Sequence, residues 1–275
     1  MNEFRQTIIT DAVCNALNTH KINLHDFACD ISGTHADAGS TIRIPVIKSV
    51  GTATDAKGDG TDDFSASTKT VEKHDVEMQL KYVTAPLSVS ELESGAALSD
   101  FAEALAGAAV AGIQADLEDA LYQVTPGEDI DDETFSVATL TKKIRPMVRK
   151  AGSPEPVVYL NSELYAAVIP MDKDGFDPAV PHFGFSKIAE FNYVKKEVIK
   201  GFAASKNAVA VATRIPNSLA QNPAYTTKYV VELPEVGVQM LYCEWSNPNN
   251  GTQTAGLFWL QGIKVIDSTG VALLV

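Results

Sequence analysis

At 275 residues and a net charge of −13, the chain carries 35 acidic against 22 basic residues. That balance excludes a dedicated nucleic-acid binder, which gains affinity by setting Lys and Arg on phosphates. Hydrophobic residues make up 45% and charged residues 21%, enough apolar surface for one large or two modest domains and too much for a disordered chain.

Three cysteines, Cys14, Cys29 and Cys243, make no paired framework and fit a reducing compartment. The first six residues lack the basic-then-apolar layout of a signal peptide. The most apolar segment, 101–115, is too short to span a membrane and carries Glu103. A soluble protein made in the cytoplasm is expected.

Residues 1–40 open with a weakly helical stretch over 4–17 and turn irregular around Gly33 and Gly39, which reads as a polar N-terminal arm. His20, His25, Cys29 and His35 fall close together, yet their spacing matches no zinc template, and no metal or other cofactor is expected.

Residues 41–50 read as a strand with Ile42 and Ile44 on one face; Pro45 cannot donate to a ladder, so the strand belongs on an edge. Residues 72–83 alternate, with Val76, Met78, Leu80 and Tyr82 against Glu77, Gln79 and Lys81. Between them, 51–68 are almost all small, acidic or glycine, so the pair forms a long hairpin with a solvated tip. Asp55, Asp59, Asp62 and Asp63 resemble a calcium loop only faintly, because Lys57 stands where a ligand belongs and Ala66 where the closing Glu belongs.

The longest helix is predicted over 99–124, capped by Ser99 and ended by Pro126 and Gly127. Phe101, Leu105, Ala109, Ile113, Leu117 and Leu121 recur every four residues and form one packing ridge. Small residues on every other side of the first half imply burial under closely approaching backbone. Asp116, Glu118 and Asp119 place the second half in solvent, where Glu118→Gln would be silent in monomer stability.

Past the acidic turn at 126–134 the pattern alternates. A helix with a kink at Pro146 is predicted over 140–150, a buried strand over 156–160, and a helix capped by Asn161 or Ser162 that carries Leu164, Tyr165 and Val168. A loop over 170–186, in which Asp172, Asp174 and Asp177 need no ion, precedes a buried strand over 207–212. Strands follow over 229–233, 236–245, 257–266 and 271–275, for an α+β architecture. Nucleophile elbows, phosphate loops, zinc-protease helices and cysteine knuckles are all missing, and the carboxylates fall in loops or on a wet face, so no catalytic residue is assigned and an enzyme is not expected.

This order of features resembles the major capsid proteins of tailed bacteriophages, with the Hong Kong 97 (HK-97) fold. Ala38-Gly39-Ser40-Thr41-Ile42-Arg43-Ile44-Pro45 is similar to that family's opening of the hairpin. Val158-Tyr159-Leu160-Asn161-Ser162-Glu163-Leu164-Tyr165 is similar to its strand-to-helix step, and Lys200-Gly201-Phe202 with Lys206-Asn207-Ala208-Val209-Ala210 to a recurrent strand. The resemblance implies an N-terminal arm (1–40), an extended hairpin loop (41–83), a peripheral domain with the spine helix (84–132 and 228–275) and an axial α/β domain (133–227).

It further implies a shell of hexamers and pentamers of this chain, made in the host cytoplasm and resident in the virion, enclosing double-stranded DNA without reading its sequence, with no membrane. Portal and decoration proteins are implied partners, with a separate scaffolding protein or none. The expected contact between subunits is the hairpin tip, Asp55, Lys57, Asp59, Asp62 and Phe64; the expected spine packing is Phe101, Leu105, Ala109, Ile113 and Leu117. Lys57 has no matching partners for the cross-link of some members. An encapsulin-like protein compartment, a phage tail or surface binding module, and a metal-dependent hydrolase are the competing readings.

Overall fold

A computed structural model describes residues 2–20, 23–31, 39, 41–49, 69–88, 94–123, 134–149, 154–168, 182–192, 195, 198–233, 238–246 and 252–275. Two sheets and a spine helix share one continuous core. The spine, α2, spans Gly95–Tyr122. Ser94, and not Ser99, caps it, its hydroxyl accepting from the Ala97 amide at 3.4 Å. Leu98, Ala102, Leu105, Ala109, Ile113, Leu117 and Leu121 are buried along it. The expectation of small residues packed on every side is corrected: Ala104 and Ala108 are exposed, and nothing lies within 4 Å of where a Gly107 side chain would start. Although α2 is long and apolar enough by composition to cross a membrane, it is a core helix gripped by the helix over 2–20 and a sheet.

Helix α1, Asn2–His20, corrects the reading of an N-terminal arm. Ile9, Ala12, Val13 and Ala16 recur at helical spacing and are buried against α2. The Arg5 guanidinium reaches the buried Glu244 carboxylate at 3.4 Å, and the Gln6 amide donates to the Val230 carbonyl, so the helix is tied to the sheet by polar bonds as well.

The main sheet is built around β11 (Gln253–Val265). Strand β4 (Gln79–Pro86) runs antiparallel along one edge of β11, while β10 (Val238–Ser246) and β8 (Val209–Arg214) share the other. The order is completed by β9 (Thr227–Leu233) beyond β10 and by the short parallel β1 (Ala28–Asp30) beyond β8. One face, with Leu257 and Trp259, packs on α2; Gly112 leaves room there for the Trp259 indole, 3.7 Å from where a Cβ would stand.

The smaller sheet has the order β12 (Val271–Leu274), β7 (Gly201–Ala204), β5 (Val157–Leu160), β6 (Lys187–Glu190). One face of β5, Val158 and Leu160, meets Leu164 and Val168 of α4 (Ser162–Val168) and Leu140, Ile144 and Val148 of α3 (137–148). The other, Val157 and Tyr159, joins the spine core. A strand covered on both faces must be apolar throughout, which explains the unbroken run at 157–160. Helix α3 comprises Val137–Thr139, a π-turn Leu140–Ile144 and Arg145–Val148; the irregularity lies just before Pro146, whose missing amide cannot carry a regular ladder onward. A short helix, α5 (Asn217–Ala220), follows β8.

Pairing draws the line between the layers elsewhere than expected. Residues 79–83 and β8 lie in the main sheet, and β12 crosses into the smaller one. Phe27, Tyr159, Phe191 and Phe202 stack and meet edge-on across the seam, centroids 5.1–5.9 Å apart. There the Tyr159 hydroxyl donates to Asp26 at 2.6 Å, and burial pushes its phenol well above the ordinary range.

Candidate assembly surface

Among the described residues, strands β2 (Thr41–Ser49) and β3 (Thr70–Glu77) pair only with each other, as a two-stranded ribbon. The continuous strand expected over 72–83 breaks at Met78, where the chain leaves the ribbon and enters the main sheet as β4. The alternation breaks there too. Val76 and Met78 are buried, but Leu80 and Tyr82 stand 41% and 64% exposed on the face of the sheet opposite α2. Tyr82 stacks there on Phe258, centroids 6.1 Å apart.

The base of the ribbon crosses this outer face. Ile42, Val76 and Met78 pack with Ala210, Ala212 and Leu260. The crossing requires Gly262: a Cβ there would stand 2.7 Å from Val76 Cγ1 and 2.9 Å from the Glu77 carbonyl oxygen. Arg43 and Asp75 face each other across the ribbon in a bidentate pair, Nε to Oδ1 at 2.7 Å and Nη2 to Oδ2 at 3.1 Å, and the Lys264 ammonium donates to the Asp75 carbonyl.

The Arg43 hydrogen bond, the largest influence, holds the Asp75 carboxyl below its ordinary value of 3.8. A depressed carboxyl contributes its stability above the unfolded value and loses it as pH falls through the folded one. The pair therefore survives the range in which an ordinary aspartate takes up its proton. An NMR titration of Asp75 is expected to give a midpoint below 3.8 in the native protein and a rise toward it in Arg43→Gln; equal midpoints would show that the pair does not form in solution.

Among the described residues, no strand pairs with the outer edges of β2, β3 or β4. The far edge of the main sheet is treated differently, since α1 lies over β9 and Gln6 takes up one of its carbonyls. Unpaired edges this long are templates for another strand, and proteins ordinarily cover them.

A cleft of about 480 Å3 opens where ribbon, α2 and β11 meet, lined in part by Asp75, Glu77, Asp116, Asp119, Gln261 and Lys264. Three of its acids are engaged: Asp116 with Lys81 at 2.8 Å and with the Gln261 amide, Asp119 with the Lys195 ammonium, Asp75 with Arg43. Among the described residues no His, Cys, Asp or Glu grouping is placed to hold a metal.

The placement of Glu118 in solvent is overturned. Its side chain is buried, because it accepts from the backbone amide of Lys195 at 2.8 Å and from the Gln114 amide at 3.1 Å. Asp116 and Asp119 are half-buried in ion pairs. Of the spine residues assigned from sequence, Leu105, Ala109, Ile113 and Leu117 are buried, and Phe101 is half-buried against the same core. The tip residues Asp55, Lys57, Asp59, Asp62 and Phe64, with Asp63 and Ala66, lie outside the described residues. So do His35 and the Asp172, Asp174 and Asp177 loop, while His20, His25 and Cys29 fall in α1, a turn and β1.

Neither a family model nor a curated protein matches the sequence. Solved structures do. A virus-like particle from Pyrococcus furiosus is similar over 98% of both chains, with a TM-score of 0.58 at 12% identity. The capsid of an empty GTA particle covers 92% of this chain and 88% of its own, with a TM-score of 0.52 at 12% identity. The capsid of cyanophage P-SCSP1u covers 92% and 86%, with a TM-score of 0.50 at 10% identity. The chain has the HK-97-like capsid fold. At this identity the HK-97 likeness is one of backbone order: spine helix, ribbon, and two sheets sharing one core.

Proposed function

We propose that this chain is the major capsid protein of a tailed-phage-like particle, assembling with copies of itself into the icosahedral shell around a double-stranded DNA genome. The observation that carries the reading is the end-to-end similarity to a particle-forming chain, 98% of both. The ribbon, with an edge on each strand that no described strand pairs, and β4, with another, supply backbone groups that a neighbouring subunit can satisfy. The peripheral domain then consists of the main sheet with α1 and α2, and the axial domain of the smaller sheet with α3 and α4. The role is structural, with the ribbon tip at Asp55, Lys57, Asp59, Asp62 and Phe64 reaching between subunits. Synthesis is in the host cytoplasm, and portal, scaffolding and decoration proteins are the natural further partners.

A net charge of −13 opposes association until salt screens it over about 10 Å. Electron microscopy and light scattering of the purified protein should show rings or closed shells that increase with ionic strength. Deleting 53–66 should leave a folded monomer that fails to close shells. A wild-type protein that stays monomeric across salt and concentration, with scaffold supplied, would refute the reading.

The same charge favours a second reading, a compartment shell around protein cargo, since a chain of net negative charge gains little affinity for a polyanion. Nuclease-resistant nucleic acid recovered from the shells supports the capsid; protein contents alone support the compartment.

A further inference from the structure

Gln114 and Glu118 stand one turn apart on α2, and neither side chain is exposed. Both reach out of the spine to the connection between β6 and β7 of the smaller sheet. The Gln114 amide donates to the Asn192 carbonyl oxygen, and Glu118 Oε2 accepts the Lys195 amide at 2.8 Å. The two side chains are joined to each other at 3.1 Å, and Asp119 holds the Lys195 ammonium just outside.

Elsewhere the smaller sheet meets the spine core through Val157, Tyr159, Phe202, Val271 and Leu273. Apolar contact of that type adheres without fixing an angle. Hydrogen bonds do fix one, and a buried carboxylate is tolerated only when its acceptors are filled. We infer that the Gln114–Glu118 pair is the joint that sets the orientation of the smaller sheet on the spine helix, holding Asn192 and Lys195 by their backbone. Glu118 is thereby a positioning residue. In a shell, where one subunit is repeated many times, that orientation enters the curvature of every copy. This last step rests on the capsid reading; the grip itself does not.

Hydrogen exchange followed at the Lys195 amide tests the grip in the full chain under dissociating conditions. The double variant Gln114→Met, Glu118→Met should exchange there at least tenfold faster than wild type. Glu118→Gln, which keeps an acceptor for that amide, should stay within about threefold. If the double variant does not fold, Glu118→Met alone is measured at the same amide. Protection unchanged within twofold in the Met variants would overturn the inference. Under assembly conditions the double variant should give shells of broader diameter distribution than wild type. Shells as uniform as wild type, despite lost protection at the Lys195 amide, would overturn the positional role. A wild type that forms no shell defeats the capsid reading, and the exchange result then decides the joint alone.

Discussion

Ala109→Phe is expected to lower monomer stability by about 1–3 kcal/mol or more, because Ala109 is completely buried and the added ring has no space to enter. Gly112→Leu should cost a similar amount, since the Trp259 indole already occupies the space beyond a Cβ at 3.7 Å. Ala108→Leu, on the exposed side of the same helix, should fall within about 0.5 kcal/mol of wild type. Helix propensity changes little between Ala and Leu, so Ala108→Leu gives the baseline for packing on the open side. Urea unfolding of the three variants under dissociating conditions measures it. Equal effects at 108 and 109 would mean that α2 does not have one buried and one open side: both small, no buried side; both large, no open one.

Gly262→Val is expected to be at least as damaging, for a different reason. A new Cβ would stand 2.9 Å from the Glu77 carbonyl oxygen, and a backbone atom cannot rotate away as a side chain can. Either the ribbon base lifts from the sheet or the sheet bends beneath it, at a cost of about 1–3 kcal/mol or more. Lifting would unpack Val76 and Met78, so the amides of residues 76–78 should lose protection before those of α2 do. If all amides lose protection together, the ribbon base is part of the global core and not a separately detachable element.

What could be read from the sequence was whatever a single element decides for itself. The ridge from Leu105 to Leu117 repeats every four residues because one stripe of α2 faces the core. Residues 157–160 are all apolar because β5 is covered on both faces. What could not be read depends on partners far along the chain. Glu118 looks like any wet carboxylate until Lys195 supplies an amide to it. Leu80 and Tyr82 continue the alternation of Val76 and Met78, yet the break at Met78 gives them a different sheet and an exposed face. Helix α1 was understated because Ile9, Ala12, Val13 and Ala16 are set among Thr, Asn and Asp, and only α2 makes their stripe a buried one. A Ser five residues upstream of the expected cap took the role because the helix starts a turn earlier than the ridge does.

Strand β12 has a consequence for how the protein is made. It completes the smaller sheet by pairing with β7, yet about 70 residues separate the two in the chain. During synthesis at roughly 5–20 residues per second, Gly201–Ala204 therefore waits on the order of 3–14 s for its partner. Throughout that interval one side of β7 is an apolar, unsatisfied edge, and nascent chains on neighbouring ribosomes present the same edge to one another. Pairing with β12 removes that edge, and it can do so only after residue 274 has left the ribosome and folded back.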